Sequence, residues 1–337
     1  MASLALWALA ITSAARADVF NMPSGDTSLS FVQVGNPGNA PDANGLGSVP
    51  YSYQMGQYDI TVSQYCDFLN AVAKTDQYGL YNGSMAPGNT FGSCGIIQSG
   101  TPGNYAYSVA SGSANLPLNE VSWLGAARFC NWLENGQPST SVENASTTED
   151  GSYNVNGATG TFTTQQLAAI SRSANAVYVI PTENEWYKVA YYKGGSANAG
   201  YWLYPTQSDT PPSNVLSVSG NNNANFEDPV LGGSDPATGI SPVGSFSSSP
   251  GAFGTYDMGG DVYQWTETVS DGGRLSFGGS FNLGVGSLES NSFSIDFPTL
   301  ESVDTGFRIA EVPEPGSVGV LAVGVIGLLW RRRGRRR

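Results

Sequence analysis

The residues able to do chemistry in this 337-residue chain are few in kind: three cysteines, Cys66, Cys94 and Cys130, and 27 Asp and Glu side chains, with no histidine anywhere. Without histidine there is no Ser-His-Asp triad, no Cys-His pair, no His-ligated zinc and no histidine-based iron triad. A metal site would have to rest on carboxylates, amides, backbone carbonyls or the cysteines, a donor set that favours hard cations such as calcium over transition metals. The sequence contains no phosphate-cradling Walker loop, no Rossmann glycine fingerprint and no repeat of fixed period.

The elements that must position these residues are short. A hydrophobic content of 40% is enough for a real core, and 43 Gly and 19 Pro against 12% charged residues point to a loop-rich domain rather than a helical bundle. Leu29 to Val34 alternates like a strand, and Tyr51 to Tyr58 reads as the next one. Thr61 and Gln64 form a capping box ahead of a helix whose buried face is Val62, Tyr65, Cys66, Leu69, Val72 and Ala73. A second helix starts at Ser122 and stops at Asn135-Gly136, and a third follows the capping box Thr182-Glu183-Asn184-Glu185. Tyr78 to Leu116 and 137–160 read as Gly-, Ser- and Asn-rich coil, and the chain beyond Gly194 as short strands and turns. The expected fold class is α+β with few short helices, short strands and much coil. Cys66 and Cys130 fall on the buried helix faces, where a thiol behaves as a small apolar group.

Both ends speak of export. An apolar run, Leu4 to Ile11, leads to Ala15-Arg16-Ala17 before Asp18, which resembles a secretory signal with an Ala-x-Ala cleavage site, although no positive charge precedes the run. At the other end Val312-Pro313-Glu314-Pro315 precedes an uncharged stretch, 316–330, and then six arginines within 331–337. This resembles the PEP-CTERM sorting tag of Gram-negative bacteria. Arginines beyond a span stay cytoplasmic, so everything before Pro313 would lie outside the inner membrane. The tag implies an exosortase-type peptidase as partner and an inner-membrane anchor through 316–330, followed by residence in the periplasm, at the outer surface or in the extracellular matrix. A simple tail anchor is the plainer reading of the same residues. Between residues 18 and 312 stand 26 acids against seven cations, a balance of −19, which repels phosphate backbones and excludes nucleic acid as a partner. In an oxidising compartment a bond between Cys66 and Cys130, or one involving Cys94, is open.

Four segments in order carry a family resemblance: Tyr58-Asp59-Ile60-Thr61-Val62-Ser63-Gln64-Tyr65; Leu118-Asn119-Glu120-Val121-Ser122-Trp123 continuing to Leu133; Ile180-Pro181-Thr182-Glu183-Asn184-Glu185-Trp186; and a long last block. That block runs from Pro242-Val243-Gly244 through Gly254 to Trp265, then Gly278-Gly279-Ser280-Phe281 and Gly306-Phe307-Arg308. The set resembles the formylglycine-generating enzyme, or sulfatase-modifying factor, family, and implies a C-type-lectin-like fold. The sequence then divides into a signal peptide (1–17), a leading strand and loop (18–50), the enzyme-like domain (51–311) and the tag (312–337).

The resemblance also implies sites. The true enzymes carry two copper-binding cysteines shortly after Gly-Gly-Ser, and here those places fall on Leu283 and Leu288, so copper and formylglycine chemistry are not expected. Cys130 corresponds to a family cysteine whose disulfide partner would follow Gly-Phe-Arg, but that residue is Ile309. One structural calcium is implied on Asp257, Asp261 and Gln264, and a second on Asn225 and Asp235; the competing reading makes these turn-forming residues. Ser280 and Arg308 are the retained pocket candidates. Trp123, Trp132, Trp186 and Trp265 are expected in the core, while Tyr201-Trp202-Leu203-Tyr204 reads as a hydrophobic strand or a stacking platform. The leading expectation is a non-catalytic binding or scaffold module for a polysaccharide, peptide or protein. The alternatives are a sulfatase-modifying-type oxidoreductase or other enzyme of altered chemistry in the same pocket, and a structural matrix component.

Overall fold

In the computed structural model the described residues are 28–88, 92–159, 163–216, 220–227 and 239–313. The expected signal peptide, the span 316–330 and Asp235 lie outside them. Among the described residues no helix is long and apolar enough to cross a membrane.

The helices begin where side chains can satisfy the first free amides. Helix α1 (Val62–Val72) is capped by Thr61, whose hydroxyl accepts from the Gln64 amide while the Gln64 side chain accepts from the Thr61 amide. Helix α2 (Trp123–Glu134) is capped by Ser122, with Asn135 as its C-cap and Gly136 at positive φ beyond it. A five-residue helix, α3 (Thr164–Ala168), was not expected from the sequence. Helix α4 (Glu183–Tyr191) repeats the α1 arrangement with Thr182 and Glu185. Changing Thr182 to Ala removes one cap acceptor and should destabilise the protein by about 1 kcal/mol in urea unfolding. A loss below about 0.3 kcal/mol would mean that packing alone sets the helix start.

Among the described residues the strands, in chain order, are β1 (Phe31–Val34), β2 (Tyr53–Gly56), β3 (Ile96–Ser99), β4 (Ala106–Val109), β5 (Tyr178–Val179), β6 (Tyr263–Ser270), β7 (Gly273–Phe277), β8 (Ser294–Asp296), β9 (Thr305–Gly306) and β10 (Ala310–Glu311). The first sheet has the order β1-β2-β10-β5, so it gathers the start, the middle and the end of the domain. Its β1 pairs antiparallel with β2 along its whole length, which makes the leading strand one edge of the domain's own sheet. The second sheet is the hairpin β3-β4, inside a stretch expected to be coil. The third has the order β8-β7-β6-β9 and takes Tyr263 to Trp265 and Gly306 from the last motif block, whose Gly278 to Phe281 follows β7 directly. Its β6-β7 hairpin turns through Asp271-Gly272, both at positive φ, as a two-residue loop compatible with strand twist requires.

One apolar cluster joins the helices to all three sheets, with Trp123, Trp186 and Trp265 fully buried and Trp132 nearly so. Burial of the indoles obliges their N–H groups to find acceptors, and these bonds tie the motifs together. Trp123 donates to the Thr266 carbonyl at 3.0 Å, Trp265 to the Val121 carbonyl at 2.9 Å and Trp186 to Gln264 Oε1 at 2.7 Å. Gly306 shows why its motif demands glycine, since a Cβ there would collide with the Leu118 carbonyl oxygen.

Candidate functional site

The loop after β7 holds the positions that the family resemblance makes catalytic. Ser280 is fully buried and its hydroxyl donates to Asn282 Oδ1 at 2.7 Å. Leu283 lies 37% exposed, whereas Leu288 is 0% exposed and packs in a small apolar cluster with Tyr204, Ala224 and Phe226. Leu288 closes a short 3-10 helix, Val285–Leu288, and its methyl groups lie against Gly259 and Gly279. The place of one implied sulfur is therefore filled by a packed aliphatic side chain, and the other by a leucine at the surface. Neither residue offers copper a donor, so the set does not fit that metal.

Arg308, the other retained pocket candidate, turns to different partners from Ser280. It is fully buried and acts as a tie between elements: Nη1 donates to the Gly56 carbonyl at 2.7 Å, Nη2 to the Tyr256 carbonyl at 2.7 Å and Nε to Gln264 Oε1 at 3.1 Å. Its Nη2 also lies 3.4 Å from Asp59 Oδ1, a fully buried carboxylate that makes no hydrogen bond. Burial pushes Asp59 well up, with Arg308 opposing and Asp257 and Asp261 adding to the rise. Asp59 was quoted within a motif but assigned no role, because nothing in the sequence says that Gly-Phe-Arg returns to it across the sheet.

The implied calcium ligands turn inward. Asp257 Oδ2 accepts from the Gly244 amide at 2.6 Å, and Asp261 Oδ1 accepts from Asn225 Nδ2 and the Ser241 amide, each at 2.7 Å. Gln264 Oε1 is shared by Trp186 and Arg308, while its Nε2 donates to the Asp257 carbonyl at 2.7 Å. Asn225 thus donates through Nδ2 to Asp261 and to the Gly239 carbonyl. Donors already occupy one oxygen of Asp257, both oxygens of Asp261 and Oε1 of Gln264, so a calcium ion would have to compete with them for these side chains. Among the described residues no group of three or more Cys, Asp or Glu could hold a metal. Asp257 and Asp261 sit at positive φ, and Gly260 between them approaches the Asn225 carbonyl too closely for any Cβ.

These buried acids give stability a pH dependence. Burial raises Asp257 to about 6 despite the Gly244 amide and Arg308, and burial together with Asp257 raises Asp261 to about 7. Raised carboxylates stabilise the fold while protonated, so their contribution is full below about pH 4 and is lost as pH climbs to about 7. Glu143 and Glu301, each raised to about 7 mainly by burial, act in the same direction. The thermal midpoint should therefore be higher at pH 5 than at pH 8, and the reverse order would show that these acids ionise freely in the fold.

A second charged group lies at the edge of the first sheet. Arg172 grips Glu185 with two nitrogens, at 2.9 and 3.1 Å, and reaches Glu267 at 3.0 Å through Nε. Tyr51 donates to Glu185 at 2.5 Å. Burial alone would raise Glu185, but Arg172, Tyr51 and the Thr182 amide outweigh it and lower the carboxyl. A cavity of about 260 Å³ opens here between Tyr51, Arg172, Ala174, Ala176 and Pro313. Another, of about 230 Å³ and more polar, lies beside Tyr78, Ser122, Arg128, Thr299 and Glu301, where Arg128 stacks 4.6 Å above the Tyr78 ring. The sequence reading did not single out either group. The aromatic run 201–204 is spent internally: Tyr201 and Tyr204 donate to the Ala40 carbonyl and Glu289, and Trp202 lies under Lys193 at 4.1 Å.

Comparison with known proteins agrees with the four-segment pattern. Residues 32–312 match the model of the sulfatase-modifying factor enzyme 1-like domain, and residues 311–333 match the PEP-CTERM protein-sorting motif. No curated protein matches the chain. Among solved structures, CarF is 21% identical at a TM-score of 0.47, covering 85% of this chain and 98% of that one. Variable protein 1 of Treponema denticola is 18% identical at 0.49, covering 87% and 98%. PvdO from Pseudomonas aeruginosa is 18% identical at 0.44, covering 85% and 92%. With a domain match across most of its length, the chain belongs to the formylglycine-generating, sulfatase-modifying factor family, and it carries a PEP-CTERM tag that marks it as an exported, membrane-anchored protein sorted by an exosortase.

Proposed function

We propose that this protein is a non-catalytic binding or scaffold module of the cell envelope, in which the family fold holds a polysaccharide, peptide or protein instead of oxidising it. The observation that carries the reading is Leu288, fully buried in an apolar cluster where the resemblance places electron-handling sulfur. A leucine there supplies no metal donor, no nucleophile and no redox couple. The reading of an enzyme built on Ser280 and Arg308 has less support, because both are buried and engaged with protein partners. The polar cavity of about 230 Å³ is lined by the Tyr78 ring with Arg128 over it, by hydroxyls of Ser122, Thr159 and Thr299 and by the Glu301 carboxylate, groups that could meet one sugar ring.

Retention on purified exopolysaccharide tests the proposal. The exported protein should be retained, and Tyr78→Ala should weaken retention severalfold without lowering the thermal midpoint by more than a few degrees. Passage of the wild type straight through such a column, and through one bearing extracted envelope proteins, would favour the structural matrix reading.

A further inference from the structure

Three cysteines in an exported chain raise the question of which, if any, belong together. The fold separates them. Helix α1 runs antiparallel to the chain that leaves β4: the Ser63 amide donates to the Ala114 carbonyl at 3.1 Å, and Asn70 exchanges hydrogen bonds of 2.9 and 3.0 Å with the backbone of Tyr107. Cys66 lies one helical turn before Asn70 on the same face, where Asn70 Nδ2 reaches both its carbonyl oxygen and, at 3.7 Å, its sulfur. That register sets Cys66 opposite the segment around Ala110. Cys94 arrives at the same place from the other strand, since the Ala110 amide donates to the carbonyl of the next residue, Gly95, at 2.8 Å.

We propose that Cys66 and Cys94 form a disulfide in the exported protein, pinning helix α1 to the β3-β4 hairpin, and that Cys130 stays reduced. Both thiols are buried and form no disulfide in the structure, and that of Cys94 donates to the Met85 carbonyl at 3.8 Å. Burial, then Asp67 and Cys94 itself, pushes Cys66 up to about 12, which agrees with two sulfurs within electrostatic reach of each other. The charges that bear on Cys130 are instead Arg172, Glu267 and Glu134, beside β5 and β6.

The reaction joins the two sulfurs with loss of two protons and two electrons, and the electrons pass by thiol–disulfide exchange to the disulfide of an oxidoreductase in the exported compartment. With thiols this hard to ionise once buried, the exchange belongs to folding, before α1 closes on the hairpin. The bond would close the loop of chain between residues 66 and 94, which constrains the unfolded state.

The test is a thiol count on the full chain, exported in a Gram-negative host and trapped with a maleimide under denaturing conditions. One reactive thiol per chain, at Cys130, together with a Cys66–Cys94 cross-linked peptide, is expected. Three reactive thiols, or a cross-link that includes Cys130, overturns the proposal. Reduction should lower the thermal midpoint by roughly 5–10 °C. This shift should persist in Cys130→Ala and vanish in Cys94→Ala, and its survival in Cys94→Ala counts against the pair.

Discussion

Replacing Arg308 by leucine should lower the unfolding free energy by about 3–5 kcal/mol, the usual cost of removing one partner from a buried charge pair. The guanidinium is fully buried and satisfies Gln264 and the carbonyls of Gly56 and Tyr256, which belong to different segments of the chain. It is also the cation nearest Asp59, a carboxylate with no hydrogen bond of its own. Without it Asp59, Asp257 and Asp261 face one another uncompensated, so the loss should be larger at pH 8 than at pH 5, where part of the acid load is protonated. Urea unfolding at the two pH values measures this directly. Equal losses at both would mean that Arg308 matters only for its backbone hydrogen bonds.

The second large effect is expected where the family resemblance places the copper cysteines. Leu288→Ala should cost about 2–5 kcal/mol, because it opens a cavity among Tyr204, Ala224 and Phe226. Leu283→Ala, at a side chain 37% exposed, should stay within about 0.5 kcal/mol. The contrast separates two explanations of the sequence. If Leu288 is a packed core residue the two variants differ sharply; if the old site persists as an open pocket with a leucine at its rim, both are mild.

How much of this was legible beforehand depended on whether the signal was local. The caps at Thr61, Ser122 and Thr182 could be read because an N-cap interaction spans only three residues. The burial of Trp123, Trp132 and Trp186 followed from their size and their place on helix faces, and that of Trp265 from its size. The β3-β4 hairpin was missed because glycine and serine flank short strands there, and Gly100, Thr101, Pro102 and Gly103 read as coil although they form its connection. The Asp271-Gly272 turn carries a recognisable hairpin signature, and its specific reading was overlooked.

At the candidate site residue types were legible but side-chain directions were not. Asp257, Asp261 and Gln264 are spaced as ligands could be, yet their oxygens are met by donors from Gly244, Ser241, Asn225, Trp186 and Arg308, segments far apart in the chain. The partners of Ser280 and Arg308 were hidden for the same reason, since membership of one motif block does not say which segments its side chains meet. The Arg172, Glu185 and Glu267 group stayed hidden because Arg172 lies outside every quoted motif. What motif order did reveal was the family, and the leucines at 283 and 288 were visible only against it.

The tryptophan and arginine ties that join the motifs do not pass through the loop that holds Leu283 and Leu288, and the PEP-CTERM tag marks the protein for sorting.

The most direct measurement offers the purified protein, supplied with copper(I) and oxygen, a cysteine-containing peptide of the sulfatase type and follows aldehyde formation by mass spectrometry and hydrazide capture. The account predicts an unchanged peptide cysteine and no bound copper. Catalytic turnover of that cysteine to an aldehyde would contradict it.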